Sequence, residues 1–131
     1  MPVELTILAL AAVLLLAHIM IAINLKTKQY GVAWNMGARD EALPPLNAIA
    51  GRLERARDNY METLPVAVIA LFGVVLAGKT SQVTAIAGWT WLGARALYLP
   101  LYWAGIPKVR TLVWMVATIA LLAVLGVLAF G

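Results

Sequence analysis

The sequence predicts an all-α integral membrane protein that folds as one bundle of four transmembrane helices over residues 1–131. Composition is the first reason, because 63% of the 131 residues are hydrophobic and only 12% are charged, which is too apolar for an ordinary soluble domain. The second reason is that four apolar segments approach the length of about 20 residues that a membrane-spanning helix needs. These segments cover about residues 5–25, 60–78, 83–103 and 110–130.

The first segment, "LTILALAAVLLLAHIMIAINL", is predicted to be a retained span and not a secretory signal peptide. It lacks the basic start of a signal peptide, since Glu4 stands there, and it is too long. No cleavage site of small residues follows it. Its single histidine, His18, is expected to lie in the core or to form a hydrogen bond between helices.

The second segment is predicted to be the end of a longer helix over about residues 47–78. The sequence "ALPP" breaks the chain at 42–45, and apolar residues then recur at helical spacings of three and four. Asn47 is the expected N-cap. A helix of this length measures ~48 Å and exceeds a ~30 Å hydrocarbon core, so its first turns should extend into the cytoplasm.

The charges of the links between the four segments predict how the segments, including the third and fourth, are oriented in the membrane. With four spans, the first and third links share one side of the membrane. That side carries eight basic residues, against Lys79 alone on the other: Lys26, Lys28, Arg39, Arg52, Arg55, Arg57, Lys108 and Arg110. The positive-inside rule therefore predicts both termini on the non-cytoplasmic side and the basic links in the cytoplasm.

A first set of polar residues lies where the second helix enters the membrane, in "RARDNYMETLP". At 100° per residue along this helix, four polar side chains in or just before that stretch fall within a sector of roughly 80°, and Asp58 borders that sector. The four are Arg52, Arg55, Asn59 and Glu62. The alternative interpretation is a solvated face with weak pairs such as Arg55–Asp58. Glu62 fits that alternative poorly, because it lies about a turn inside the apolar boundary, where charge is expensive.

A second polar set, at the same side of the membrane, comprises Arg95, Tyr98, Tyr102 and Arg110. Arg95 is expected to pair with Glu62, and the alternative is that this pair serves only to fix helix register. Together the two sets predict a cationic pocket with hydroxyls at its rim and one acid. Its ligand should carry at least two negative groups, and the surrounding spans offer apolar walls for a lipophilic second substrate.

These motifs resemble those of the MAPEG family, the membrane-associated proteins in eicosanoid and glutathione metabolism. "RARDNYMETLP" resembles the family signature R-A-x-x-N-x-x-E-x-x-P, and "RALYLPLYWAGIPKVR" resembles its third-span R-x-x-Y-x-x-x-Y followed by a turn and an arginine. The resemblance covers the whole chain and is closest to bacterial-type microsomal glutathione transferases. It implies a homotrimer in a bacterial inner membrane, with glutathione bound between subunits near the cytoplasmic face. The implied activities are glutathione conjugation, peroxide reduction and eicosanoid synthesis.

The resemblance also implies a role for each matching residue. Arg55, Asn59 and Glu62 would hold the glutathione peptide, with Glu62 near its ammonium group. Arg110 would be the catalytic residue that stabilises the thiolate. Further contacts would come from Arg52, Tyr98 and Tyr102, from Arg95 as a brace, and from Lys26 of a neighbouring subunit. Thr63 departs from a tyrosine that some members have after the motif glutamate.

Two other functions remain open at this level. The first is a MAPEG-type protein that binds a ligand or serves as a scaffold without catalysis, since fold does not fix function. The second is a small multidrug exporter, although those proteins carry a carboxylate in the middle of the first span, where this chain has only His18. The absence of cysteine excludes a thiolate metal site, and one histidine excludes a multi-histidine one. The basic residues form no stripe with aromatics of the kind nucleic acid needs.

Overall fold

The computed structural model describes residues 1–131, and the chain is helical throughout apart from its links. Helix α1 covers Val3–Tyr30, the short α2 covers Val32–Met36 and α3 covers Ala48–Leu76. Helix α4 covers Gln82–Trp103 and α5 covers Pro107–Phe130. The long helix predicted over about 47–78 agrees with α3. Its predicted cap is confirmed, because the Asn47 Oδ1 accepts a hydrogen bond from the Ala50 backbone N–H at 2.9 Å.

The four long helices form a bundle in which α1 packs on α3 and α4 packs on α5. Helices α3 and α4 contact each other across the middle, whereas α1 and α5 do not touch. Small residues line these contacts and let the backbones approach closely: Ala11, Ala67, Ala70, Ala87, Ala117 and Ala120 are all buried. Gly73 and Gly88 mark two close approaches, because a Cβ on Gly73 would lie 2.7 Å from the Leu128 Cδ2 and one on Gly88 would lie 2.8 Å from the Ile7 Cδ1.

The bundle has two chemically different ends. At one end, the Thr84 hydroxyl donates to the buried Glu4 carboxylate at 2.8 Å, which joins the starts of α4 and α1. At the same end, the Lys79 ammonium donates to the Leu128 carbonyl near the end of α5. The opposite end gathers the other chain turns and the eight basic residues of the first and third links.

Three helices are long and apolar enough to cross a membrane, namely α1, α3 and α5. Helix α4 has a comparable 22 residues but is not among them, because Arg95 and its many Gly, Thr and aromatic residues lower its hydropathy. The all-helical membrane architecture is thus confirmed for three spans. The fourth span stays a prediction, as does the side on which the termini lie.

The link between α1 and α3 is more ordered than the sequence suggests, because it contains α2 and is fastened to the end of α1. The Tyr30 hydroxyl donates to the Pro44 carbonyl at 2.6 Å. The Gln29 amide donates to the Pro45 carbonyl and accepts from the Asn47 N–H. These bonds bring the start of α3 back beside the last turn of α1.

Candidate functional site

A cationic pocket opens where α3, α4 and α5 meet at the basic end of the bundle. Its volume is about 220 Å³. Six residues line it: Arg52, Arg55, Tyr102, Gly105, Pro107 and Arg110. Four of these six belong to the two polar sets found in the sequence, so the fold brings two residues of each set to one pocket, without the acid that the sequence predicted there.

The three arginines of the pocket have no carboxylate partner within the subunit, whereas basic residues nearby do. Lys26 pairs with Glu54, and Arg57 pairs with both Glu54 and Asp58. No Asp or Glu lines the pocket itself. The pocket therefore keeps an uncompensated positive charge that suits an anionic ligand.

Local backbone features hold two of these guanidiniums in place. The Arg52 Nη1 lies 3.4 Å from the Trp103 carbonyl oxygen, at the end of α4. Its guanidinium packs against Gly105, where a Cβ would come within 2.8 Å of the Arg52 Cζ. Gly105 also has φ +73°, which disfavours any other residue. Arg55 folds back along α3, so that a Cβ on Gly51 would lie 3.2 Å from its Nη1.

Arg110 and the start of α5 form the other wall of the pocket. The Arg110 guanidinium lies over the Tyr102 ring, with its Cζ 4.4 Å from the ring centroid. Helix α5 begins at Pro107 without a side-chain cap. Its unpaired N–H groups and positive dipole end therefore add to the positive potential of the pocket.

A deeper polar layer continues from the pocket into the bundle. The Tyr102 ring meets the Tyr98 ring edge-on at 5.5 Å, and the Arg95 guanidinium lies 4.3 Å from the centre of Tyr98. Arg95 is only 1% exposed, and its Nη1 donates to the Asn59 Oδ1 at 2.9 Å. Arg95 thus braces the asparagine of the α3 motif from α4.

The predicted pair between Glu62 and Arg95 is wrong within the subunit. Asn59 takes the guanidinium instead, because it faces α4, while Glu62 lies about 60° further round α3. Glu62 is exposed on the outer surface of the subunit and forms no ion pair. Lys26 also lies outside the pocket of its own subunit, where Glu54 holds it.

Tyr60 is a central residue of the bundle that neither of the two polar sets in the sequence includes. Its hydroxyl donates to the Ala11 carbonyl at 2.6 Å, and its ring stacks on His18 at 4.9 Å. Arg95 and Trp91 lie beside the same ring. His18 is buried as expected, but the hydrogen bond considered for it is absent, since neither of its ring nitrogens has a partner. The spacing of Tyr60 by four residues from Ala56 and seven from Leu53, both of which are buried, was the sequence signal for its position on the core face of α3.

Gly105 and Pro107 are pocket residues that the sequence indicated only as parts of a turn. Their position in the short turn between Tyr102 and Arg110 indicated that they lie near both of these residues. A short turn between two helices whose facing ends line a pocket is placed to line that pocket too. This inference was available from the sequence, although the contact of Gly105 with Arg52 was not.

Comparison with known proteins identifies the family of the chain. The model of the MAPEG family matches residues 4–130, which is nearly the whole chain. Searches with the chain found no match among curated proteins and none among solved structures. Because the family match spans all the helices and every residue of the pocket, the chain belongs to the MAPEG family.

Proposed function

We propose that the protein is a glutathione-dependent membrane transferase or peroxidase that activates the glutathione thiol for attack on a lipophilic electrophile or hydroperoxide. One observation carries the proposal: the pocket at the junction of α3, α4 and α5 presents three arginines and no carboxylate. Membership of the MAPEG family supports glutathione as the ligand. The family match also argues against the small multidrug exporter.

The pocket suits glutathione because this tripeptide carries two carboxylates, one ammonium group and a thiol. Arg52 and Arg55 are the proposed partners of the carboxylates, since a guanidinium binds a carboxylate through two parallel hydrogen bonds. Asn59 and Tyr98 adjoin the pocket from below, and Tyr102 lines it. Glu62, three residues beyond Asn59 on α3, is the proposed partner of the ammonium group.

Arg110 is the proposed catalytic residue because its charge is free to act on the sulfur. A thiol of pKa about 8.5 is only about 3% ionised at pH 7, and the thiolate is the nucleophile. One guanidinium at about 6 Å stabilises an anion by about 2.8 kcal/mol at an effective dielectric of about 20, which is about two pKa units. That shift would leave about three-quarters of the thiol ionised at pH 7. The thiolate then bonds to the electrophilic carbon as the leaving group departs.

The size of the pocket supports a site completed by a neighbouring subunit. A volume of about 220 Å³ is below the about 300–1,000 Å³ typical of small-molecule sites. Glu62 is exposed beside Met61 and Val66, on an apolar surface where an unpaired charge is expensive. A homotrimer with glutathione between subunits would cover this surface. It would also let Lys26 contribute from the adjacent subunit.

An apolar groove between α4 and α5 is the proposed path of the lipophilic substrate. The groove has a volume of about 310 Å³, and it reaches Val109, the residue before Arg110. Its other walls are Thr90, Gly93, Ala94, Leu97, Leu112, Val113 and Val116. A hydrophobic electrophile dissolved in the bilayer could therefore approach the thiolate from the membrane side. We further propose α4 as the fourth span, with both termini outside and the pocket at the cytoplasmic face of a bacterial inner membrane.

The test is a glutathione titration of the detergent-purified protein, in which ultraviolet absorbance reports the thiolate and equilibrium dialysis reports binding. The parent protein should show a saturable thiolate signal. Arg110→Ala should keep most of the binding but lose that signal and the conjugating activity. Lys108→Ala is the matched control, because Lys108 is a basic residue on the same turn of α5 that does not line the pocket.

Three outcomes would contradict parts of the proposal. Near-normal turnover in Arg110→Ala would remove Arg110 from the catalytic role. Binding without any thiolate signal in the parent would favour a MAPEG-type binding or scaffold protein. No binding at millimolar glutathione would mean that the three arginines serve a different anion.

A further inference from the structure

The short helix α2 folds back toward the membrane instead of continuing away from it. The chain turns at Gly31, and the Asn35 side-chain amide then donates to the Thr27 hydroxyl at 2.7 Å. Residue 35 therefore lies level with residue 27 of α1. Helix α1 has 28 residues and measures about 42 Å, against a hydrocarbon core of about 30 Å. Its last turns, including Thr27, thus reach the headgroup layer, and α2 lies beside them.

The outer surface of α2 is apolar and uncovered within the subunit. Val32 is 64% exposed and Met36 is 83% exposed. Between them Trp34 is half-buried, with its ring edge-on to Tyr30 at 5.0 Å. A tryptophan with neighbouring apolar side chains is typical of segments that lie at a membrane–water interface.

A cation is fixed directly beside this surface. The Arg39 guanidinium lies 4.7 Å from the centre of the Trp34 ring and donates to the Asn35 carbonyl at 3.0 and 3.2 Å. It has no carboxylate partner. Between residues 28 and 41 the charges balance, because Lys28 and Arg39 oppose Asp40 and Glu41. The surface therefore suits the phosphate of any phospholipid and does not depend on a net negative membrane.

We propose that α2 is an interfacial anchor that lies in the headgroup layer of the leaflet reached by the end of α1. In this position Val32 and Met36 contact the upper acyl chains, and Arg39 donates to lipid phosphates. The bonds of Tyr30 and Gln29 to residues 44–47 hold the anchor and the start of α3 together. Because Lys26 pairs with Glu54 at the same level, the anchor also fixes the depth of Arg55 and its pocket in the bilayer. This inference does not depend on the ligand of the pocket.

The absence of cysteine from the chain gives a direct test, since one introduced cysteine can be labelled uniquely. Met36→Cys with a nitroxide label, reconstituted in phosphatidylcholine vesicles, should collide several-fold more often with oxygen, which enters lipid, than with a water-soluble nickel chelate. Ala42→Cys is the control, because Ala42 is exposed on the same link outside α2 and should favour the chelate.

Two results would overturn the proposal. Equal access of the nickel chelate to labels at 36 and 42 would place α2 in water. An immobilised label at 36 that neither reagent reaches would mean that protein, such as a second subunit, covers α2. A second measurement avoids labelling: with Trp34 as the sole tryptophan, lipids brominated near the headgroup should quench its fluorescence more than lipids brominated near the acyl end. Met36→Asp should then reduce the quenching, whereas Ala42→Asp should not.

Discussion

Arg95 is a buried cation with one hydrogen-bond acceptor, so removal of that acceptor should destabilise the fold. Its Nη1 donates to Asn59, while its Nε and Nη2 have no partner. The remaining support comes from the faces of Tyr98 and Tyr60, at 4.3 and 5.4 Å. Asn59→Ala should therefore lower the free energy of unfolding by about 1.5–3 kcal/mol, the usual range for a hydrogen bond to a charged group.

Arg95→Met should have a much smaller effect on stability. It removes the hydrogen bond to Asn59 and two cation–π contacts. Each cation–π contact is worth about 0.5–2 kcal/mol. It also removes two buried donors without partners, each of which costs about 1–3 kcal/mol. These contributions nearly cancel, so the change in unfolding free energy should stay within about 1 kcal/mol. Asn59 is half-buried and can turn to water once the guanidinium is gone.

A double-mutant cycle measures this coupling directly. Thermal and SDS-induced unfolding in detergent should show that Asn59→Ala costs little in the Arg95→Met background, with a coupling energy of about 1.5–3 kcal/mol. Asp58→Ala is the control, because Asp58 is exposed and bonded only to Arg57. Additive effects of the two substitutions would refute the reasoning, since Arg95 would then take its support from groups other than Asn59.

Three further substitutions test other parts of the site. Gly105→Ala should displace Arg52 and weaken glutathione binding several-fold in a dialysis assay, whereas Gly78→Ala, at φ +68° with open space around it, should lower the melting temperature without changing binding. Glu62→Gln should weaken glutathione binding and leave the melting temperature of the detergent-solubilised protein unchanged. A fall in stability with unchanged affinity would instead give Glu62 a structural role. His18→Phe should be neutral or stabilising in thermal unfolding, because the nitrogens it removes have no partners, and His18→Ala should be clearly destabilising.

The helices could be predicted from the sequence because their signals are local. Hydropathy, the helical period after "ALPP" and the cap at Asn47 all lie within a few residues of the structure they determine. The predicted segment 83–103 differs from α4 by one residue at its start. The predicted 5–25 falls short of α1, because Lys26 and Lys28 end the apolar run but do not end a helix. Helix α2 was missed because five residues are too few for a periodic pattern.

The sequence indicates which residues belong to the site but not which of them contact one another. Helical spacing places Asn59 and Glu62 in one sector of α3. Within this sector Asn59 faces α4, whereas Glu62 faces outward. Which of them meets Arg95 depends on the rotation of α3 against α4. That rotation is set by packing of Leu71, Gly88 and other core residues far from the site. The stack of His18 on Tyr60 depends on the same interhelical geometry.

The pairing of the basic residues separates the part of the basic end of the bundle that maintains the fold from the part proposed to bind a ligand. Lys26 pairs with Glu54 and fastens α1 to α3, whereas Arg57 pairs with Glu54 and Asp58 within α3. The pocket arginines repel one another, and no acid holds them: Arg52 contacts Gly105 and the end of α4, Arg55 packs along Gly51, and Arg110 lies over Tyr102. Such a cluster lowers the stability of the unliganded protein, and a dianionic ligand would relieve the repulsion on binding. A fold that needed only solubility at this end could have paired each of these arginines as it pairs Arg57. The unpaired charge is therefore better explained by a ligand than by the stability of the bundle.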